Sequence, residues 1–276
     1  MVRAAAVQLN STEDKERNLA TADRLTRAAA GDGADLIVLP EKFNVLGTPD
    51  HYREGAETLE GPTIGWARET AAELAVHLVA GSIVERREGR DKLSNTSVHV
   101  GADGQIKAVY RKIHMFDVEV AGQVYRESDS EEPGDDIVVS DVGGLPLGLT
   151  VCYDLRFPEL YRILAVRGAR VVTIPAAFTK VTGEAHWELL IRARAIENQA
   201  FVVAADQIGV HPEEKESYGG SMIVDPWGEV LARAPDEETL VAADLDLDRQ
   251  DEVRDKLPSL ANRVPGAYRW SEGVIA

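Results

Sequence analysis

The sequence predicts an α/β fold whose mixed sheets are covered on both faces. Three observations carry this reading. Apolar runs of strand length alternate with segments of helical period. Some neighbouring strands are joined by hairpin signals, which require antiparallel pairing, and others are separated by a helix, which permits parallel pairing. Several strands, such as LIVL at 36–39 and RVVTI at 170–174, are apolar throughout, so both of their faces must be buried.

Residues 2–9 (VRAAAVQL) read as a buried strand, and 12–30 as an amphipathic helix stopped at Gly31 and Gly33. Strand 36–39 is stopped by Pro40, and a helix is expected over 63–76. Segments 78–85, 95–100 and 105–111 read as strands, the last two turning at Ala102-Asp103-Gly104. Residues 113–135 form a long polar loop, and loops of that length in compact domains usually carry function. Its acidic run from Asp129 to Asp136 reads as solvated. Strands follow at 136–140 and 146–152, then a helix at 157–167, a strand at 170–174, a helix at 185–198 and a strand at 201–206. A hairpin over 221–233 turns at Pro226-Trp227-Gly228, strand 240–245 follows, and an acidic helix starts near Asp246. No repeat or Ser/Gly linker interrupts the chain, so residues 1–276 read as one domain, with a tail from about 258 serving as an interface segment or extended arm.

With 30 Lys plus Arg against 47 Asp plus Glu, the formal charge is −17. That opposes nucleic acid and anionic membranes as partners, since both need clustered cations. An anionic substrate would need a local cation to hold it. The single cysteine, Cys152, can form neither an internal disulfide nor a CxxC site. The start MVRAAAVQLN lacks the features of a secretory leader, and no apolar run reaches ~18 residues, so a cytoplasmic location is expected. The six histidines show no HExxH spacing, and no phosphate-binding glycine loop follows a strand. Neither a metal nor another cofactor is expected.

Three polar residues stand at predicted strand ends, where sheet folds place chemistry: Glu41 after LIVLP, Lys112 after IKAVYR and Cys152 after GLTV. Each has an ordinary structural reading. Glu41 could be a solvated loop acid, Lys112 a surface cation, and Cys152 inert core filler. Composition and spacing stop there, at an α/β protein with a candidate nucleophile.

The segments around these residues go further. LPEKF at 39–43, YRKIHMFD at 110–117 and VCYDLRFPEL at 151–160 resemble, in order and spacing, the signatures of the nitrilase (carbon–nitrogen hydrolase) superfamily. GQVYRES at 122–128, the run at 175–199 and SYGGSMIVDPWGEV at 217–230 resemble its amidase branch, which includes ω-amidase and deaminated glutathione amidase. The stretch at 207–228 looks closer to the latter. The resemblance covers nearly the whole chain. It implies a four-layer α-β-β-α sandwich with two mixed sheets, and a homodimer or higher oligomer formed by stacking helix layers, with helices 157–167 and 185–198 as candidates.

The resemblance also implies roles. Cys152 is the nucleophile and passes through a thioester. Glu41 is the base that takes its proton, a job that fits a carboxylate whose pKa burial has raised. Lys112 and the backbone N–H of Tyr153 hold the oxyanion, and Glu127 positions Lys112 and the substrate amide. Arg156 is either a clamp for a substrate carboxylate, for which its planar fork is suited, or a structural cation paired with Asp154 or Glu159. Thr182 adds a hydroxyl donor. Lys180 and Arg126 are fallback clamps, and His114 or His186 would be the base if Glu41 were not. Arg194 and Glu197, three apart on a helix, read as a structural ion pair.

The expected activity is hydrolysis of a linear amide of a small carboxylic acid, resembling deaminated glutathione or 2-oxoglutaramate. The alternatives are an N-carbamoyl amino acid hydrolase, a nitrilase, or a non-catalytic interaction protein on the same fold.

Overall fold

A computed structural model describes residues 1–120 and 122–268 of the chain. Strand β1 (Val2–Gln8) leads to helix α1 (Lys15–Gly31), whose first turn is capped by the Asp14 carboxylate accepting from the Arg17 N–H. Strand β2 (Leu36–Val38), helices α2 (Pro49–Gly55) and α3 (Pro62–Leu74), and strands β3 (His77–Val79), β4 (Ile83–Glu85), β5 (Ser94–Val100) and β6 (Ile106–Arg111) follow. A small hairpin, β7 (Asp117–Val120) and β8 (Gln123–Arg126), precedes β9 (Val139–Val142) and β10 (Leu145–Leu149). Then come a 3-10 turn (Cys152–Arg156), α4 (Pro158–Val166), β11 (Val171–Ala176), α5 (Lys180–Asn198) and β12 (Phe201–Asp206). A second hairpin, β13 (Ile208–Val210) and β14 (Glu216–Tyr218), leads to β15 (Met222–Val224), β16 (Val230–Arg233), β17 (Thr239–Leu245) and α6 (Leu247–Lys256).

Two sheets result. One has seven strands in the order β17-β1-β2-β3-β5-β4, with β6 paired to β5; the other has six, in the order β16-β15-β12-β11-β10-β9. Both are mixed, as expected. β1, β2 and β3 run parallel, as do β10, β11 and β12, and the outer strands are antiparallel.

The alternation of side chains along a strand sorts the layers. Ala4 and Ala6 of β1, with Leu36 and Val38 of β2, pack between the sheets against Leu147, Leu149 and Val203. Ala5, Val7 and Ile37 point the other way, onto Ala22 and Leu25 of α1 and Ile64 and Ala67 of α3. α4 and α5 cover the far side of the second sheet through Leu160, Leu164, Trp187 and Ile191. The layers are therefore helix, sheet, sheet, helix, the sandwich that the resemblance implied.

Several elements differ from the sequence reading. The strand expected at 78–85 is two strands, because Gly81 turns at φ +42 and its missing Cβ leaves room for the Pro40 carbonyl; a Cβ there would lie 1.9 Å from that oxygen. The strand expected at 146–152 ends at Leu149, and Cys152 instead opens the 3-10 turn at φ +49. The strand expected at 136–140 starts three residues later, at Val139. The loop at 113–135 holds the β7–β8 hairpin, whose alternating valines give it strand character. α5 starts at Lys180, five residues before the expected 185, and helix α2, with Thr48 and Pro49 at its start, is absent from the sequence reading. The acidic run is not wholly solvated, since Glu131 is only 1% exposed. From 258 the chain turns irregularly into a short 3-10 turn (Pro265–Ala267), and the rest of the expected tail, 269–276, lies outside the described residues.

Candidate active site

The fold brings Glu41, Lys112 and Cys152, the three residues singled out in the sequence, to one cavity. Past β2 the chain crosses to the second sheet, where the Glu41 N–H donates to the Ala176 carbonyl at 3.3 Å. The Glu41 carbonyl accepts from the Gln207 side-chain amide at 3.0 Å. Its carboxylate is buried and fully engaged. Oε1 accepts from Asn95 Nδ2 at 2.7 Å and Lys112 Nζ at 3.0 Å, and Oε2 accepts from the Ala177 N–H at 2.9 Å.

Lys112 leaves β6 with its N–H on the Asn95 carbonyl, and its own carbonyl accepts from Gly134 N–H at 2.9 Å. That close approach needs glycine, since a Cβ on Gly134 would stand 2.3 Å from the Arg111 carbonyl oxygen. The Lys112 ammonium is 2% exposed and lies 2.8 Å from Glu127 Oε2 and 3.0 Å from Oε1.

Cys152 is 7% exposed and strained, because a residue with a β-carbon rarely adopts positive φ. Asp154 pins this turn. Its Oδ2 accepts from the Val151 N–H at 2.8 Å and the Tyr110 hydroxyl at 2.6 Å, while Oδ1 lies 2.7 Å from His114 Nδ1. One carboxylate thus joins the cysteine turn to the strand end that carries Lys112.

Burial is the main force raising the Cys152 thiol well above its ordinary pKa; the Glu41 carboxylate adds to it and Lys112 opposes it. Burial pulls the Lys112 pKa down, but Glu127 and then Glu41 override it, and the group ends well above its ordinary value. Glu127 is held below the carboxylate range: burial works against this, but Lys112 and Lys42 outweigh it.

Glu41, Lys112, Cys152, Glu127, Arg156 and Thr182 all line one cavity of about 570 Å³. That size suits a small-molecule ligand. Arg156 stacks on Phe178, with its guanidinium carbon 4.9 Å from the ring centre and Nη1 3.3 Å from His186 Nδ1. The expected structural partners are absent. Asp154 is engaged elsewhere, and among the described residues no carboxylate lies within ion-pair distance of Arg156. Thr182 Oγ1 lies 2.7 Å from Thr179 Oγ1. The Tyr153 ring packs edge-on to Phe116 and Phe157, outside the residues that line the cavity. Arg194 and Glu197 form the expected pair at 2.9 Å, and Arg194 also holds the Leu155 carbonyl.

Sequence reasoning missed three participants. Asn95 donates to Glu41 and, at 3.2 Å, to Glu127. Lys42 and Glu131 form a buried pair at 2.5 Å in the cavity wall. The only available signal for Lys42 was its place beside Glu41; Glu131 was hidden among neighbouring acids.

The carbon-nitrogen hydrolase family model matches residues 3–255. The chain belongs to this family. It is 43% identical over 271 residues to the deaminated glutathione amidase of Bos taurus, covering 96% of this chain and 82% of that one. It is 39% identical over 267 residues to the omega-amidase of Mus musculus, covering 96% of each. Among solved structures, a nitrilase-superfamily protein of branch 10 from Saccharomyces cerevisiae superposes with a TM-score of 0.84 at 32% identity, covering 93% of this chain and 94% of that one. These curated relatives are named as amidases, so among the family's chemistries the amidase reading holds over carbamoylase or nitrilase, and over a non-catalytic role. Among the described residues no helix is long and apolar enough to cross a membrane, and no cluster of three His, Cys, Asp or Glu is placed to hold a metal.

Proposed function

We propose that the chain hydrolyses the linear amide of a small acid bearing a carboxylate, through a thioester on Cys152. The observation that carries the substrate class is Arg156, a cavity-lining guanidinium without a carboxylate partner among the described residues. It offers a substrate carboxylate the fork that no protein acid takes. 2-Oxoglutaramate and deaminated glutathione, the kinds of substrate that the relatives' names indicate, both meet this requirement.

The chemistry follows from the arrangement. Glu41 takes the Cys152 proton as the sulfur attacks the amide carbon, so the thiolate forms only at the moment of attack. The carbonyl electrons move to oxygen, where Lys112 Nζ and the Tyr153 N–H stabilise the negative charge. One such donor contributes roughly 3–4 kcal/mol. The C–N bond breaks, Glu41 returns its proton to the departing nitrogen, and the amine or ammonia leaves. Water then gives a proton to Glu41 and its oxygen to the thioester, releasing the acid and restoring the thiol. We propose further that a second copy packs against α4 and α5, whose Ile163, Val166, Leu189 and Ile196 are exposed in the single chain.

Kinetics on a matched pair, an acid amide and its methyl ester, tests the reading. Arg156→Ala should raise KM for the acid by ten- to a hundredfold, the equivalent of roughly 1.5–3 kcal/mol for a lost charge-assisted hydrogen bond, and leave the ester nearly unchanged. Equal loss on both would make Arg156 structural and move the clamp to Thr182 or Arg126, which also line the cavity; Lys180, paired with Glu216 at 2.5 Å, does not line it. If the wild-type protein turned over neither keto-amide, the substrate class would be wrong.

A further inference from the structure

Five charged side chains alternate along one wall of the cavity: Glu41, Lys112, Glu127, Lys42 and Glu131. The proposed chemistry uses Glu41 and Lys112, and Glu127 grips the Lys112 ammonium. Lys42 and Glu131, 6% and 1% exposed, have no part in it. Their presence calls for an account, because a buried ion pair is often no more stable than apolar residues of the same volume. Lys42 also sits in the left-handed region at φ +50, held there by its N–H on Ser82 Oγ at 3.0 Å. Its ammonium lies 2.5 Å from Glu131, 3.6 Å from Glu127 Oε1 and 4.1 Å above the Tyr52 ring.

Glu41 and Glu127 compete for one ammonium. Lys112 lies 3.0 Å from Glu41 and 2.8 Å from Glu127. If Glu127 were protonated or turned away, Lys112 would lean wholly on Glu41, tying up the base and leaving the position of the oxyanion. Glu127 resists this with the help of the Phe116 N–H at 2.8 Å and Asn95 at 3.2 Å. Among the described residues Lys42 is the one other cation in ion-pair range of it. Glu131 in turn fixes Lys42 through Oε1, and among the described residues its buried Oε2 has no hydrogen-bond partner.

We propose that Lys42, clamped by Glu131, is a positioning residue that acts through Glu127, keeping it an anion so that Lys112 stays aimed at the reacting carbonyl and Glu41 stays free to act as base. This rests on the roles proposed above for Lys112 and Glu41. The groups facing Lys42 are Glu131, Glu127, Glu41 and Tyr52, and those facing Glu127 are Lys112, Lys42 and Glu131; burial raises the pKa of Glu131 itself to about 7, with Lys42 opposing and Glu127 adding to the rise. Removing Lys42 deprives Glu127 of one of the two cations that hold its pKa down. Activity that needs the Glu127 anion should then fail at a higher pH than in the parent.

The test compares the wild type, Lys42→Met, Glu127→Gln and the double variant, with 2-oxoglutaramate as substrate and active sites counted by thiol alkylation. Lys42→Met should lower kcat ten- to a hundredfold with KM changed less than threefold, and should shift the acid limb of the kcat profile upward. In the Glu127→Gln background the same change should cost less than threefold. If Lys42→Met does not fold, Lys42→Met with Glu131→Gln removes both charges at similar volume and should show a kcat loss and shift in the same direction but smaller, because Glu131 repels Glu127. A full-sized Lys42 effect on the Glu127→Gln background, or an unmoved acid limb, overturns the proposal. Full activity of Glu127→Gln instead strikes at the parent reading of the site, and this inference falls with it.

Discussion

Glu41→Gln separates the base from the shape of the site. The amide fits the same space, but its two ends are not equivalent. In the wild type both carboxylate oxygens only accept, one from Asn95 and Lys112, the other from the Ala177 N–H. Either orientation of glutamine turns an NH2 toward a donor, leaving a buried mismatch that costs about 1–3 kcal/mol of stability. Losing a general base costs about two to four powers of ten in turnover, or roughly 3–5 kcal/mol of barrier. The thiol should respond in the opposite sense. Glu41 is second only to burial among the influences raising the Cys152 pKa, and Lys112 opposes both. With Glu41 neutral, the midpoint for alkylation by a small uncharged reagent should move to lower pH even as turnover collapses. Steady-state kinetics and the pH dependence of alkylation, run on the same preparation, read both effects. Near-normal turnover would reject Glu41 as the base and reopen His114 or His186. A midpoint that stays put or rises would show that the carboxylate does not act on the sulfur.

Other outcomes follow from the same geometry. Cys152→Ala should abolish turnover and leave the melting temperature within a few degrees, and a slow variant should show an acyl adduct on Cys152 by intact mass spectrometry. Lys112→Ala should cost at least as much turnover as Glu41→Gln, with no rescue by Lys112→Arg, whose fork does not fit between Glu41 and Glu127. Asp206 is buried, accepts from the Phe178 N–H at 2.8 Å through Oδ1, and among the described residues has no partner at Oδ2; burial above all raises its pKa well beyond the usual range. A carboxyl whose folded pKa is raised loses stability as pH climbs above its unfolded value of ~3.9. Asp206→Asn should therefore raise the melting temperature, more at pH 8 than at pH 5, by ~2–4 °C for each kcal/mol recovered; an equal change at both pH values would refute a buried titrating carboxyl.

Apart from the β7–β8 and β13–β14 hairpins, which it did not reveal, the sequence by itself determined most strands of the two large sheets, the mixture of parallel and antiparallel pairing, and the two hairpin turns at Gly104 and Gly228. These depend on period and on backbone freedom, which neighbours along the chain encode. The signature segments also placed Glu41, Lys112 and Cys152 in one site before any distance was known. The tertiary structure decided the rest. It took Cys152 off its expected strand, because Asp154 folds back onto the Val151 N–H and is held from the other sheet by Tyr110 and from the loop beyond it by His114. It left Arg156 without either expected carboxylate partner, because Asp154 was already engaged. It buried Lys42 and Glu131, two side chains whose local sequence reads as solvated loop, since the surroundings of a charge are set by whichever loops converge on it. Residues 42, 127 and 131 come together only once β2 and the segment beyond the β7–β8 hairpin are brought side by side. No period in the sequence records that juxtaposition, because burial and pairing of charges depend on contacts between residues far apart along the chain.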